Sequence, residues 1–230
     1  NMAFQGFPKT CFPFLRQLQK NNNREWFNAN KQRYEDSIRT PALSLIEDIG
    51  PEIAEKLSPH FVAIPKKVGG SLMRVYRDTR FAKDKTPYKN NIGIQFRHEL
   101  GKDVHAPGFY LHIEPGNCFI GTGIWRPESQ FLNKIREFIV DNPRSWSVLM
   151  SDEPFCSQWS LIGATLIRPP RGFVKEHPLM KDLKRKDFIA HKNFSHELIL
   201  DSGFIDYLIE SYQECEAYMA YLCMALEVDY

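Results

Sequence analysis

Between Arg77 and Lys89 the chain reads Arg-Asp-Thr-Arg-Phe-Ala-Lys-Asp-Lys-Thr-Pro-Tyr-Lys, with five cations and two carboxylates in thirteen residues. Like charges at that density repel one another unless something anionic lies among them, and Asp78 and Asp84 neutralise only part of the excess. Guanidinium forks and ammonium groups gathered on one connection are a common way to grip phosphate or carboxylate, which makes Arg77, Arg80, Lys83, Lys85 and Lys89 candidate ligand-binding residues. The plainer reading is that the aspartates hold the loop in shape through arginine pairs while the lysines are solvated, since exposed ion pairs contribute only about 0–1 kcal/mol.

A second group sits on an alternating stretch, Tyr110-Leu111-His112-Ile113-Glu114, followed by Pro115-Gly116. If Pro115 and Gly116 centre a tight turn, His112 pairs with Phe119 and Tyr110 with Gly121. Gly121 and Gly123 then share the His112/Glu114 face, opening the sheet beside an acid and a base. In a meander, Arg74, Tyr76, Gln95 and Arg97 extend the same face, giving a shallow pocket floor. On this reading His112, Glu114 and Asp78 are the acid/base candidates, and Arg74, Arg97 and Tyr110 join the ligand-binding set. A Pro-Gly turn suits hairpin twist poorly, and a register shifted by one residue inverts the face. A polar sheet face is also often merely solvated or covered by a helix.

Other chemistries find little support. His98, His105, His112, His177, His191 and His196 never stand at metal-ligand spacing with a second histidine or cysteine, so no zinc site is expected. Asp78, Asp84, His112 and Glu114 offer donors to Mg²⁺ or Mn²⁺ only as a scattered set, and no metal is assigned. There is no P-loop, no G-x-G-x-x-G after a strand and no G-x-S-x-G elbow, and the sequence names no cofactor.

The elements that must position these residues follow from periodicity. Phe14, Leu15 and Leu18 predict a first helix, and Asn21 to Asn23 break it and offer a cap for a second carrying Trp26, Phe27, Tyr34 and Ile38. Pro41 opens a third with Leu45, Ile49, Ile53 and Leu57 on one stripe, to be kinked or split at Gly50-Pro51. From Leu72 the period becomes two, predicting strands over 72–76, 92–97, 109–113 and 118–124 in an antiparallel meander. Helix returns after Pro127. Residues 152–194, broken by prolines, read as loops with one or two short strands around 161–167. A long amphipathic helix spans 202–226, with Phe204, Leu208, Tyr212 and Leu222 inward. The expected class is α+β, a central and mostly antiparallel sheet packed by N-terminal and C-terminal helices, in a single domain over 1–230.

Four segments of this chain resemble the domain-of-unknown-function family 2461 (DUF2461): Asn22 to Phe27, Arg77 to Lys89, Tyr110 to Gly116, and Pro170 to Phe173 with His177-Pro178. The resemblance spans nearly the whole chain. It implies no activity and no catalytic residues, because the family has none established.

The bulk composition narrows the classes. At 230 residues, 43% hydrophobic and 13% aromatic, the chain can bury a large core, and a disordered or fibrous protein is excluded. Five cysteines without a C-x-x-C pair fit a reducing compartment. The absence of an n-region with an apolar run, and of about 18 consecutive apolar residues, leads us to expect a cytoplasmic protein with no membrane partner. Residues 197–230 hold eight carboxylates and no Lys or Arg, leaving a balance of +10 on the rest, which either attracts an anion or is neutralised internally.

The leading expectation is therefore a pocket-bearing protein that binds an anionic, phosphate-containing ligand, with enzymatic activity left open. One alternative is nucleic-acid binding through the basic loop and Lys181, Lys184, Arg185, Lys186 and Lys192. The other is a protein-interaction module using the acidic, Tyr-rich terminal helix. The ligand, the reaction and the oligomeric state are not encoded in any motif.

Overall fold

A computed structural model describes residues 3–101 and 106–230, so His105 lies outside the described residues. The N-terminal third is a near-continuous helical run: α1 (Cys11–Lys20), α2 (Arg24–Ala29), α3 (Lys31–Tyr34), a π-helical stretch at Glu35–Arg39 and α4 (Thr40–Lys56). Asn23 caps α2, its side-chain oxygen accepting from the Trp26 N–H at 2.8 Å. The expected break at Gly50-Pro51 does not occur. Pro51 removes one donor, but α4 runs through it with Ile46, Ile49 and Ile53 all fully buried, and that packing outweighs the lost bond.

The sheet has five antiparallel strands in the order β1 (Ile92–Arg97), β2 (Gly108–Ile113), β3 (Phe119–Ile124), β5 (Phe188–Asn193) and β4 (Ser160–Ile162). β5 inserts between β3 and β4, in a stretch that periodicity reads as loop. The predicted strand over 72–76 is not continuous. It touches β1 at Leu72 and Met73, then peels away so that Tyr76 pairs with Tyr88, and residues 75–89 form a ribbon projecting from the sheet edge.

Between the sheet strands run α5 (Ser129–Asp141), α6 (Pro143–Leu149), α7 (Glu153–Gln158) and α8 (Met180–Leu183). The chain ends in α9 (Phe204–Gln213) and α10 (Glu216–Ala225), which divide at Glu214-Cys215 what periodicity reads as one long helix.

Strand alternation gives the sheet two unlike faces. One carries Ile92, Ile94, Phe96, Phe109, Leu111, Ile113 and Ile120, all at most 2% exposed, into an aromatic core against the helices. Phe109 meets Tyr212 of α9, Trp146 of α6 meets Phe188, and Phe61 meets Phe109. Lys192 also points to this side, where its ammonium pairs with Glu214 at 2.8 Å. The fold is α+β, with an antiparallel sheet packed by helices from both ends of the chain. No helix among the described residues is long and apolar enough to cross a membrane.

Candidate functional site

The other face of the sheet carries the chemistry. The β2–β3 turn closes with the Asn117 N–H donating to the Glu114 carbonyl at 3.0 Å, and Gly116 takes φ +84°, which few side chains adopt. His112 therefore lies opposite Phe119, and Tyr110 opposite Gly121, the expected register. Residues 110, 112 and 114 follow the period of two along one face, and their side chains touch. The Tyr110 hydroxyl is 2.7 Å from His112 Nδ1, and His112 Nε2 is 2.7 Å from Glu114 Oε1. The imidazole stacks on Phe119 with ring centres 4.5 Å apart. A Glu114 carboxylate takes its hydrogen bond from Nε2–H, which leaves Nδ1 to accept from the Tyr110 hydroxyl. Burial, reinforced by Glu114, pushes the Tyr110 phenol up to about 12, so it stays protonated.

Two adjoining cavities meet at this relay, both lined by Met73, Tyr110 and His112. The smaller, about 350 Å³, adds Arg77, Asp78, Lys89 and Asn91. The larger, about 650 Å³, runs over the sheet past Phe119, Gly121, Gly123 and Ile189 to Trp125, Ile162 and Arg97.

The smaller cavity is built by the 75–89 ribbon, and the Asn22 to Phe27 segment fixes the ribbon's base. The Asn22 side chain donates to the Tyr88 carbonyl at 2.9 Å and accepts from the Tyr88 N–H at 3.0 Å, while Phe27 stacks on the Tyr88 ring at 4.2 Å. Lys89, the next residue, is thereby aimed at the cavity. Its ammonium makes no hydrogen bond or ion pair among the described residues. Burial, with the Arg74 guanidinium as the lesser cause, pulls its pKa below the usual lysine range.

The loop cations divide. Arg77 lines the cavity but spends one guanidinium nitrogen on the loop, donating to the Thr86 carbonyl and hydroxyl, both at 2.8 Å, and to the Asp84 carbonyl at 3.2 Å. Asp78 also lines it, yet its carboxylate is taken by the Arg80 fork at 3.0 and 2.8 Å, and those bonds hold its pKa down at about 2. An acid that strong is already ionised near neutrality and serves as a fixed anion rather than a proton donor. Arg80, Lys83 and Lys85 are exposed and line neither cavity, and the Lys85 ammonium donates to the Thr79 carbonyl at 2.7 Å. Arg74 is likewise exposed. Arg97 lies at the far end of the larger cleft, donating to Gln95 at 2.7 Å. The structure thus gathers Tyr110, His112, Glu114, Arg77, Asp78 and Lys89, and leaves Arg74, Arg80, Lys83 and Lys85 outside.

A family model described as "Conserved hypothetical protein (DUF2461)" matches residues 10–221. The chain belongs to the DUF2461 family. No curated protein and no solved structure matches it. Three of the four segments by which it resembles DUF2461 proteins converge here: Asn22 to Phe27 clamps the ribbon, Arg77 to Lys89 is the ribbon's loop, and Tyr110 to Gly116 carries the relay and its turn, whereas Pro170 to Phe173 and His177-Pro178 line neither cavity.

Sequence reasoning missed Asn91, whose amide lies 3.5 Å from His112 Nδ1, and Met73 and Phe119 as walls. Phe119 was legible as the partner of His112. Asn91 carried no signal, because it precedes a strand whose boundary periodicity alone leaves loose.

Proposed function

We propose that this protein binds an anionic, phosphate-containing ligand in the Lys89 cavity, with Tyr110, His112 and Glu114 as an acid/base relay against it. The observation that carries the reading is Lys89: a half-buried ammonium with no carboxylate partner among the described residues, beside Arg77 and the relay. A desolvated, unpaired cation is costly to keep unless an anion completes it. In the relay, a proton taken from a bound group passes to the Tyr110 oxygen as the phenol's own proton moves to Nδ1. The resulting imidazolium is held by Glu114. Lys89 and Arg77 offset charge on the ligand.

Isothermal calorimetry with inorganic phosphate tests this. Lys89→Met should weaken binding at least about tenfold, ~1.4 kcal/mol, and move Tm by less than about 2 °C, because the side chain holds no other element. Affinity should also fall as pH rises above about 8, where phosphate is already a dianion. It should do so at a pH below the ordinary lysine range, because only protonated Lys89 attracts the anion. Unchanged affinity in the variant would reject the site.

Nucleic-acid binding is the second reading. Phe81 is 94% exposed at the tip of the loop that also shows Arg80, Lys83 and Lys85 to solvent, a cation-rich surface with an aromatic for stacking. The other basic run gives it less, since Arg185 pairs with Asp182, Lys184 reaches the Ile167 carbonyl and Lys192 is turned to the core. The interaction-module reading gains less, because Tyr212, Tyr218 and Tyr221 are buried and only Tyr207 of the helix tyrosines is partly exposed. One apolar cluster running from Phe4 to Leu226 supports treating residues 1–230 as one domain. Five unpaired cysteines, four of them buried, support a cytoplasmic location.

A further inference from the structure

We infer that the anion held at Lys89 is the head of an amphipathic organic molecule whose apolar body lies in the larger cleft, and that Gly121 sets the size of that body. The inference rests on the anion reading above and names its ligand class. The two cavities share Met73, Tyr110 and His112 in their linings, so a molecule gripped at Lys89 lies directly beside the sheet cleft. About 650 Å³ lies within the range of small-molecule sites, and its walls at Phe119, Trp125, Ile162 and Ile189 are apolar. Trp125, with the Arg126 guanidinium 5.5 Å from its ring centre, is 54% exposed there.

Gly121 is the informative residue. It lies directly between Tyr110 on β2 and His191 on β5. A glycine inside a strand forgoes about 0.5–1 kcal/mol relative to alanine. Here nothing local demands one: the nearest atoms a Cβ at 121 would meet are those of Ala190 and Ile189 at 3.7–3.8 Å, ordinary contact distances, and its φ lies outside the left-handed region. What a side chain would take up is the floor of the cleft. From the row of His112 to the row of Gly108 is four residues of strand, about 13 Å, enough for a ring system or a short acyl chain.

The test is calorimetry on the full chain with two probes, inorganic phosphate and 1-naphthyl phosphate. The wild-type protein should bind the naphthyl ester at least about tenfold more tightly than phosphate. Gly121→Leu should erase that advantage while leaving phosphate affinity within about twofold, and Lys89→Met should weaken both. Trp125→Ala, a change at a half-exposed wall that does not challenge folding, should lower only the naphthyl affinity, by at least about threefold. Equal wild-type affinity for the two probes, or naphthyl affinity indifferent to both cleft variants, would overturn the inference and leave the anion site standing. Failure of both probes to bind would end the anion reading and this inference with it.

Discussion

Gly121 and Gly123 stand two residues apart on β3 and are glycine for different reasons. Gly123 has φ +124°, and a Cβ there would come within 2.0 Å of the Phe188 carbonyl oxygen, so the β3–β5 pairing requires its hydrogen. Gly121 is free of both constraints, and its missing side chain becomes cleft. The pair predicts opposite outcomes in chemical denaturation. Gly123→Ala should cost at least about 2 kcal/mol from the strained backbone alone, whereas Gly121→Ala should be neutral or stabilising by up to about 1 kcal/mol. A comparable loss in both would mean that β3 has no spare room at 121 and that the cleft there is illusory. The same scale separates Lys89 from its neighbours. Arg77 and Arg80 are tied to Thr86 and Asp78, so their substitution disturbs the loop, while Lys89 makes no hydrogen bond or ion pair among the described residues.

At the scale of elements, the ribbon over 75–89 decides where the cations go. Asn22 makes two hydrogen bonds to the Tyr88 backbone. Asn22→Ala should cost about 1–3 kcal/mol by leaving the part-buried Tyr88 N–H and carbonyl without their Asn22 partner. If the clamp aims Lys89, phosphate affinity should fall as well, with Lys89 itself intact. Hydrogen exchange at Tyr88 and Lys89 faster than in the wild type, together with weaker binding, would show the clamp at work. Unchanged exchange would assign Asn22 to the loop before α2 alone.

Much of this arrangement was legible in the sequence. Pro115-Gly116 pinned the β2–β3 register, and alternation in β1 and β2 put Tyr110, His112 and Glu114 on one face. β5 was hidden because its core-facing residues are Phe188, Ala190 and Lys192. The last points inward only because its ammonium pairs with Glu214 while lying over Trp159 and Tyr207. An inward lysine erases the alternation that marks a strand. Leu72 to Tyr76 reads as one sheet strand because it alternates throughout, although its partner changes from β1 to residues 87–89 partway along. Which loop cations face inward depends on that change of partner, so Arg80 and Lys85 were indistinguishable from Lys89 in sequence.

Across the whole molecule the two sheet faces share out the roles. The helix-covered face holds the aromatic core, and the other holds the relay and both cavities. The acidic C-terminal segment neutralises part of the basic body through Lys192–Glu214 and Lys134–Glu227, but neither pair reaches the Lys89 cavity. The excess positive charge of residues 1–196 would steer anions broadly, and the proposal is that they settle at one place, beside Lys89. Diffraction from crystals soaked in tungstate, a heavy tetrahedral dianion, addresses that claim most directly. An anomalous peak is expected within hydrogen-bond distance of Lys89 Nζ, on the side facing His112 and Tyr110. Peaks confined to Arg80, Lys83 or Lys85 at the ribbon tip, with none beside Lys89, would contradict it.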